Sequence, residues 1–276
     1  GDIVVGVIGT LCENCRNATL KEAYSGSADN ALILVHGVFA TSENFASLVA
    51  EFALLKQPWT IYTFEYPYND RLEQNGKELA SYIKSSAAKH KRIYLVGHSL
   101  GGLVVQESLS QLQQQHEETT LATVKKAILI ASPNEGAPAK ELYKLLDTAI
   151  VNNLINASKF YLTNETLDAL STGKNIPRVS GVTYEVIVGT TGYNFTAEHF
   201  KDPERTGSYL PNDGIVTTKS AQTVGGQPII DRCLNYYEVG LTHTELNDHQ
   251  IINRIIARSV NEQVAEESGI VAGYNQ

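Results

Sequence analysis

The sequence of 276 residues contains no methionine, one tryptophan and three cysteines. No apolar run approaches the roughly 20 residues that a membrane span requires, so no transmembrane segment is expected. No basic segment followed by an apolar one marks a signal peptide. Because residue 1 is not methionine, we expect a mature or trimmed chain. Together with four N-x-S/T sequons, this favours a secreted or extracytoplasmic location.

Positive charge is also scarce. The 22 Lys and Arg residues face 30 Asp and Glu residues, for a formal net charge of −8. This balance argues against a nucleic-acid groove and against strong attraction to anionic membranes. Hydrophobic residues make up 42% of the chain and charged residues 19%, which excludes a disordered class. We therefore expect a single folded domain over residues 1–276, with residues 1–30 as an N-terminal extension.

Cysteine is too sparse for a zinc site. Cys12 and Cys15 form a C-x-x-C pair, whereas Cys233 lies far away in the chain. A zinc site would need further Cys or His ligands nearby. A thioredoxin-like site would need its own βαβ context, but residues 12–30 read as a loop. A structural disulfide or idle thiols are therefore favoured over redox or metal chemistry, and no metal or cofactor is predicted.

Short apolar runs alternate with amphipathic segments. Several runs lack apolar/polar alternation, which is typical of strands buried on both faces of a parallel sheet. The runs are 31–37, 59–66, 92–97, 126–132, 184–189 and 235–240. Helical periodicity occurs at 45–52, 73–88, 100–115 and 246–262. This alternation predicts an α/β fold with a mostly parallel central sheet and helices on both faces.

One interval between strands is longer than the others. About 50 residues separate the runs ending at 132 and starting at 184, far more than one crossover needs. The part from 138 to 173 reads as helical and rich in apolar residues. It is either an ordinary pair of packed helices or a helical cap over the strand ends, and we favour the cap. Leu146, Ile150 and Leu154 are its candidate substrate contacts.

One serine lies between two apolar segments, in "RIYLVGHSLGGLVVQESL" at 92–109. A sharp strand-to-helix turn at Ser99 would require small neighbours, and Gly97 and Gly101 supply them. Such a turn lifts the hydroxyl to the carboxyl edge of the sheet, beside the free N–H groups of a helix start. G-x-S-x-G between a strand and a helix is the nucleophile elbow of α/β-hydrolases. The alternative is a structural turn.

A serine hydroxyl needs a base, usually histidine, which a carboxylate orients. On this fold the acid and then the histidine follow the serine along the chain. His243 comes directly after the run 235–240, which delivers it to the carboxyl edge; His249 falls within the predicted last helix. Asp213 follows the run 184–189 and is the candidate acid, or else a turn aspartate. Asp231 precedes the last strand and so lies at the opposite edge.

An oxyanion hole needs two N–H donors. Leu100, directly after the serine, supplies one. The stretch "VHGVFA" ends the first strong strand and turns towards a helix, so the N–H of Val38 is expected to point at the site. His36 precedes the serine, and we interpret it as a hydrogen-bonded brace for this loop rather than as the base.

Together these pieces resemble α/β-hydrolase lipases and esterases, especially the bacterial and PGAP1-like lipase group. The matching stretches are "LVHGVFATSENF", "YLVGHSLGGLV", "ILIASPNEGAP", "PNDGIVTTKSA" and "THTEL", in family order from residue 31 to about 260. In the third stretch Asn134 replaces the histidine of a Thr-Pro-His-x-Gly motif. The resemblance implies Ser99 as nucleophile, Asp213 as acid and His243 as base, with oxyanion N–H groups from Val38 and Leu100.

These residues predict a serine hydrolase that cleaves carboxylic esters, of lipids or other acyl compounds, through an acyl-enzyme and without a cofactor. A thioesterase, amidase or acyltransferase would use the same triad. An inactive binding protein on a hydrolase scaffold is the alternative of another class. The expected partners are a small-molecule acyl ester or lipid and a lipid interface, with no nucleic acid.

Overall fold

The structure is a computed structural model that describes residues 17–26, 28–151 and 161–267. Its centre is a seven-stranded sheet. The strands are β1 (Thr19–Ser25), β2 (Asn30–Val35), β3 (Thr60–Glu65), β4 (Arg92–His98), β5 (Val124–Ile130), β6 (Thr183–Gly189) and β9 (Tyr236–Val239). They follow the order β1-β3-β2-β4-β5-β6-β9 across the sheet. A separate antiparallel pair joins β7 (Thr223–Val224) to β8 (Gln227–Pro228).

Six neighbouring strands of this sheet run parallel, from β3 through β2, β4, β5 and β6 to β9. The inner strands β2 and β4 are apolar along most of their length because both faces of the sheet are covered. Their side chains point alternately to the two sides, so Ile33 and Leu95 pack into one core while Leu32 and Tyr94 pack into another.

Helices cover the two faces of the sheet. They are α1 (Ala46–Leu54), α2 (Leu72–Ala87), α3 (Leu100–Gln114), α4 (Glu118–Thr123), α5 (Ala139–Val151), α6 (Asn164–Thr172), α7 (Thr218–Gln222) and α8 (Gln250–Glu267). Residues of α2 and α3 pack into the core on one face, and residues of α1 and α8 pack into the core on the other. The predicted α/β fold, with a mostly parallel central sheet and helices on both faces, is confirmed.

Two sequence-based expectations about element bounds are wrong. The N-terminal extension 1–30 was expected to read as a loop from residue 12, but Thr19–Ser25 forms the antiparallel edge strand β1 against β3. Its side chains are mostly exposed, so no hydrophobic pattern marks it. The last helix begins at Gln250 rather than at 246, because Glu245–Asn247 forms a separate 3₁₀ turn. His249 therefore precedes that helix.

The parallel strands end at one edge of the sheet, which brings distant parts of the chain together. His36 follows β2, Ser99 follows β4, and His243 follows β9 at this carboxyl edge. The start of α3 packs tightly against the end of β2 there, since a Cβ at Gly101 would collide with the carbonyl oxygens of Val35 and His36. No helix in the described ranges is long and apolar enough to cross a membrane.

Gly101→Ala should lower the free energy of unfolding by roughly 1–3 kcal/mol, the usual cost of overpacking a close contact. The opposing atoms are backbone oxygens, which cannot move without displacing β2. Gly240→Ala is the matched control, because a Cβ there meets nothing within 4 Å. Urea unfolding at pH 7 measures both variants. Equal stability of the two would contradict the close packing described here.

Candidate active site at the carboxyl edge

Ser99 lies at a strained turn between β4 and α3. Its backbone has φ 54° and ψ −123°, a region that costs a non-glycine residue about 1–3 kcal/mol. Two hydrogen bonds hold the turn: Ser99 N–H donates to Ile130 O at 2.8 Å, and Gly102 N–H donates to Ser99 O at 3.0 Å. The sharp turn predicted from "GHSLGG" is therefore present, and Ser99 is almost fully buried.

Small residues let the strand, the turn and the helix approach closely. A Cβ at Gly97 would lie 2.6 Å from the backbone of Gly101. A Cβ at Gly37 would lie 3.0 Å from the Ser99 Cβ, so the loop after β2 passes directly beside the serine. A larger side chain at either glycine would separate Ser99 from the elements around it.

Asp213 and His243 are joined although 30 residues separate them in the chain. Asp213 Oδ2 lies 2.8 Å from His243 Nδ1, and both side chains are buried. A second contact runs along the backbone, where His243 N–H donates to Asp213 O at 2.9 Å. Since a carboxylate only accepts hydrogen bonds, the Nδ1 atom donates to Asp213, and the Nε2 atom is on the opposite side of the ring.

The loop around Asp213 fixes its carboxylate. Asp213 Oδ1 accepts hydrogen bonds from the N–H groups of Ile215, at 2.9 Å, and Val216, at 2.8 Å. Gly214 has φ 97°, which permits the tight turn beside the aspartate. Together with His243 Nδ1, these N–H groups fix the position and orientation of the carboxylate.

His98 connects the serine turn to the His243 loop. Its Nε2 atom donates to His243 O at 3.2 Å, and the two ring centroids lie 4.8 Å apart. Burial, together with the neighbouring His243, lowers the pKa of His98 well below its ordinary value. His98 is therefore a neutral ring that ties β4 to the segment after β9.

The two predicted oxyanion donors are the backbone N–H groups of Leu100 and Val38. Leu100 is the first residue of α3, so its N–H has no partner inside the helix. Val38 lies in the loop after β2 and lines the same cavity as Ser99. Among the residues that the structure describes, neither N–H has a hydrogen-bond acceptor. Their role as oxyanion donors stays a prediction.

Ser99 and His243 line one cavity of about 400 Å³ at the carboxyl edge. Most of its other lining side chains are apolar, and described residues of α5 and α6, together with Leu162 just before α6, lie along one wall. That wall includes Leu142, Tyr143, Leu162 and Leu170. The candidate contacts Leu146, Ile150 and Leu154 lie outside the described residues as far as their side chains are concerned. Those three candidates stay predictions, and the described wall residues were not among them, although Leu142 and Leu170 have the apolar spacing of amphipathic helices.

Asn134, where the resembling lipases have the histidine of Thr-Pro-His-x-Gly, has a structural contact of its own. It is fully buried and accepts a hydrogen bond from Gln106 Nε2 at 2.7 Å. Its Nδ2 atom donates to Ala221 O at 2.6 Å. Asn134 therefore ties α3, which carries the Leu100 N–H, to α7, which follows the Asp213 loop.

Asp231 and Cys233, which the sequence did not favour, do not line this cavity. Asp231 is paired with Arg178, and both side chains are partly exposed. Cys12 and Cys15 fall outside the described residues, and Cys233 is exposed and not in a disulfide. In the part of the chain that the structure covers, no group of three or more His, Cys, Asp or Glu side chains could hold a metal ion.

Glu65 is a charged residue near the site that sequence reasoning missed. It ends β3, and its Oε2 atom lies 3.3 Å from His36 Nε2. Burial alone would raise its pKa, but hydrogen bonds from His36 and Ser42 and the charge of His36 outweigh burial and lower the pKa from 4.5 to about 2. The only sequence signal was a lone acidic residue inside the apolar run 59–66.

Solved structures of other proteins have the same fold at low sequence identity. The mature form of lipase BlEst2 from Bacillus licheniformis has a TM-score of 0.60 and 16% identity, covering 89% of this chain and 98% of that chain. The α/β-hydrolase MGS-MChE2, from a lagoon-sediment metagenome of Mar Chica, Morocco, has a TM-score of 0.54 and 13% identity, with coverages of 90% and 96%. Carboxylesterase CesB from Bacillus subtilis has a TM-score of 0.50 and 12% identity, with coverages of 92% and 96%. These similarities show the α/β-hydrolase fold.

By sequence, no curated protein matches the chain. Residues 12–183 match the model of a family described as a domain of unknown function, DUF7379. The matched segment contains Ser99 and the loop with Val38 but ends before Asp213 and His243. The chain therefore belongs to the DUF7379 family and has the α/β-hydrolase fold.

Proposed function

We propose that this protein is a serine hydrolase that cleaves carboxylic esters through an acyl-enzyme. The observation that carries the proposal is the buried hydrogen bond between Asp213 and His243. His243 lines the same cavity as Ser99, which lies at its strained turn. A carboxylate that orients a histidine beside a serine is the arrangement that makes a hydroxyl nucleophilic. A plain structural turn would need neither the strain nor the cavity.

In this mechanism His243 Nε2 takes the proton from Ser99 Oγ while Oγ bonds to the ester carbonyl carbon. The carbonyl oxygen becomes an oxyanion and accepts hydrogen bonds from the N–H groups of Val38 and Leu100. When the tetrahedral intermediate collapses, the ester C–O bond breaks and His243 returns the proton to the leaving alcohol. Water then repeats the sequence on the acyl-enzyme, with His243 as base, and releases the carboxylic acid and free Ser99.

The apolar wall of the cavity supports an acyl group as the part of the substrate that binds there. Pockets for small ligands are lined mostly by apolar side chains with a few placed polar groups, as here. We also propose that segment 138–173 is a helical cap over the cavity, because described residues of α5 and α6 contribute to its apolar wall. The resemblance to bacterial and PGAP1-like lipases supports a lipid or another acyl ester, with contact to a lipid interface.

Ser99→Ala should abolish labelling by a fluorophosphonate and hydrolysis of short p-nitrophenyl esters, because the bond-forming oxygen is removed. Ser85→Ala is the control, since that hydroxyl is exposed on α2 and bonds only the Ser81 carbonyl. In-gel fluorescence and steady-state kinetics measure both variants. A wild type that is neither labelled nor active would favour the binding-protein alternative. Matched ester, thioester and amide substrates separate the remaining hydrolase and transferase alternatives.

Asp213→Asn should decrease kcat by about 10⁴-fold, because an amide in place of the carboxylate stabilises the wrong tautomer of the histidine. Asp231→Asn removes an aspartate of the same loop-rich region that is paired with Arg178 instead. It should leave kcat unchanged. Equal activity of the Asp213 variant and wild type would remove Asp213 from the mechanism.

Leu142→Trp should reduce kcat/KM for long acyl chains more than for acetate, since the larger ring would occupy part of the cavity. Leu145→Trp is the matched control on the same helix, because Leu145 is 40% exposed and does not line the cavity. A series of p-nitrophenyl esters of increasing chain length measures the effect. An unchanged chain-length profile in the Leu142 variant would place the acyl group elsewhere.

A further inference from the structure

A short loop carries one of the two proposed oxyanion donors. It runs from residue 37 to residue 41, between His36 at the end of β2 and Ser42 at the start of the 3₁₀ helix Ser42–Phe45. Val38 lies within it, and Phe39 beside Val38 has φ 56°, a left-handed conformation that is unusual for phenylalanine. A loop in this conformation keeps its shape only if the surrounding structure fixes its ends.

One carboxylate contacts both ends of this loop. Glu65 Oε1 accepts a hydrogen bond from Ser42 N–H at 2.5 Å, at the far end. Glu65 Oε2 lies 3.3 Å from His36 Nε2, at the near end. The register of the parallel strands β2 and β3 explains why Glu65 lies beside His36. Val35 pairs with Phe64, so the next residues of the two strands, His36 and Glu65, are neighbours.

His36 is held on every side. Its Nδ1 atom donates to Gly37 O at 2.9 Å, and its Nε2 atom faces the Glu65 carboxylate, so both ring nitrogens face oxygen acceptors. Tyr66 also contacts His36. The two rings stack with their centroids 4.5 Å apart, and Tyr66 OH donates a hydrogen bond to His36 O at 2.6 Å. With its ring packed on Tyr66 and its Nε2 atom 3.3 Å from the Glu65 carboxylate, the buried His36 has little freedom to shift.

We propose that Glu65 is a positioning residue, which together with His36 clamps both ends of loop 37–41 and thereby aims the Val38 N–H at the developing oxyanion. The inference rests on the proposed function, because it assigns a role within that reaction. Glu65 itself does not line the cavity, so it acts through the loop rather than on the substrate. A misplaced donor weakens binding of the transition state but not of the ground-state ester.

The chain offers a matched control in another strand of the sheet, β6, which is not adjacent to β2 or β3. Glu185 on β6 is also a buried carboxylate, paired with Lys126 at 3.2 Å and accepting from Ser259 Oγ at 2.6 Å. It contacts neither the loop nor the cavity. Replacing either glutamate by glutamine breaks a buried ion pair and costs stability, but only one of the two changes touches the proposed donor.

The experiment measures kcat, KM and unfolding of Glu65→Gln and Glu185→Gln with a short p-nitrophenyl ester. For Glu65→Gln we expect kcat to fall at least about tenfold with KM within about threefold, since loss of a whole oxyanion donor costs ~10²–10³. Glu185→Gln should keep the wild-type kcat although it is destabilised. The double variant His36→Gln/Glu65→Gln should be no slower than Glu65→Gln, because both residues act on one loop.

Glu65→Asp keeps the negative charge, but its side chain is one methylene shorter and cannot reach both His36 and Ser42. It is the second test variant if Glu65→Gln fails to fold. It should also lose kcat at unchanged KM. Wild-type kcat in a folded Glu65 variant would overturn the inference, as would a loss that Glu185→Gln shares in proportion to its destabilisation. An inactive, unlabelled wild type is a different result: it removes the proposed function, and the role of the clamp with it.

Discussion

The strained backbone of Ser99 is the constraint on which the rest of the site depends. A positive φ at a serine is maintained only because the elements on either side are held in place. On one side β4 is almost wholly buried between two cores, and on the other α3 packs against β2 at Gly101. The same turn places the Leu100 N–H at the free end of α3. The strain, the proposed nucleophile and one proposed oxyanion donor are therefore consequences of a single turn.

The parallel sheet supplies the other groups. Because its strands end at one edge, the loop after β2, the turn after β4 and the segment after β9 meet there, although more than 200 residues separate His36 from His243. Each group is then oriented by a partner outside the cavity. Asp213 bonds the imidazole of His243, the N–H groups of Ile215 and Val216 bond Asp213, and Glu65 contacts both ends of loop 37–41, which contains Val38. The cavity itself contributes apolar surface and few polar atoms.

Much of this arrangement was predictable because buried strands and sharp turns leave strong local signals. The runs at β2 and β4, the glycines around Ser99 and the position of His243 after the last strand identified the carboxyl edge. The edge strand β1 was missed because its side chains are mostly exposed and polar. Glu65 was missed because its role depends on the pairing of β2 with β3, which no local pattern specifies. The cavity wall depends on how α5 and α6 pack, which is a tertiary property.

The most direct test is a crystal structure of the wild-type protein after reaction with a p-nitrophenyl phosphonate, which mimics the tetrahedral intermediate. The account predicts phosphorus bonded to Ser99 Oγ and a phosphonyl oxygen within hydrogen-bond distance of both Val38 N and Leu100 N. His243 Nε2 should lie beside the Ser99 oxygen. Phosphorus on another residue, or a phosphonyl oxygen directed away from both N–H groups, would contradict it.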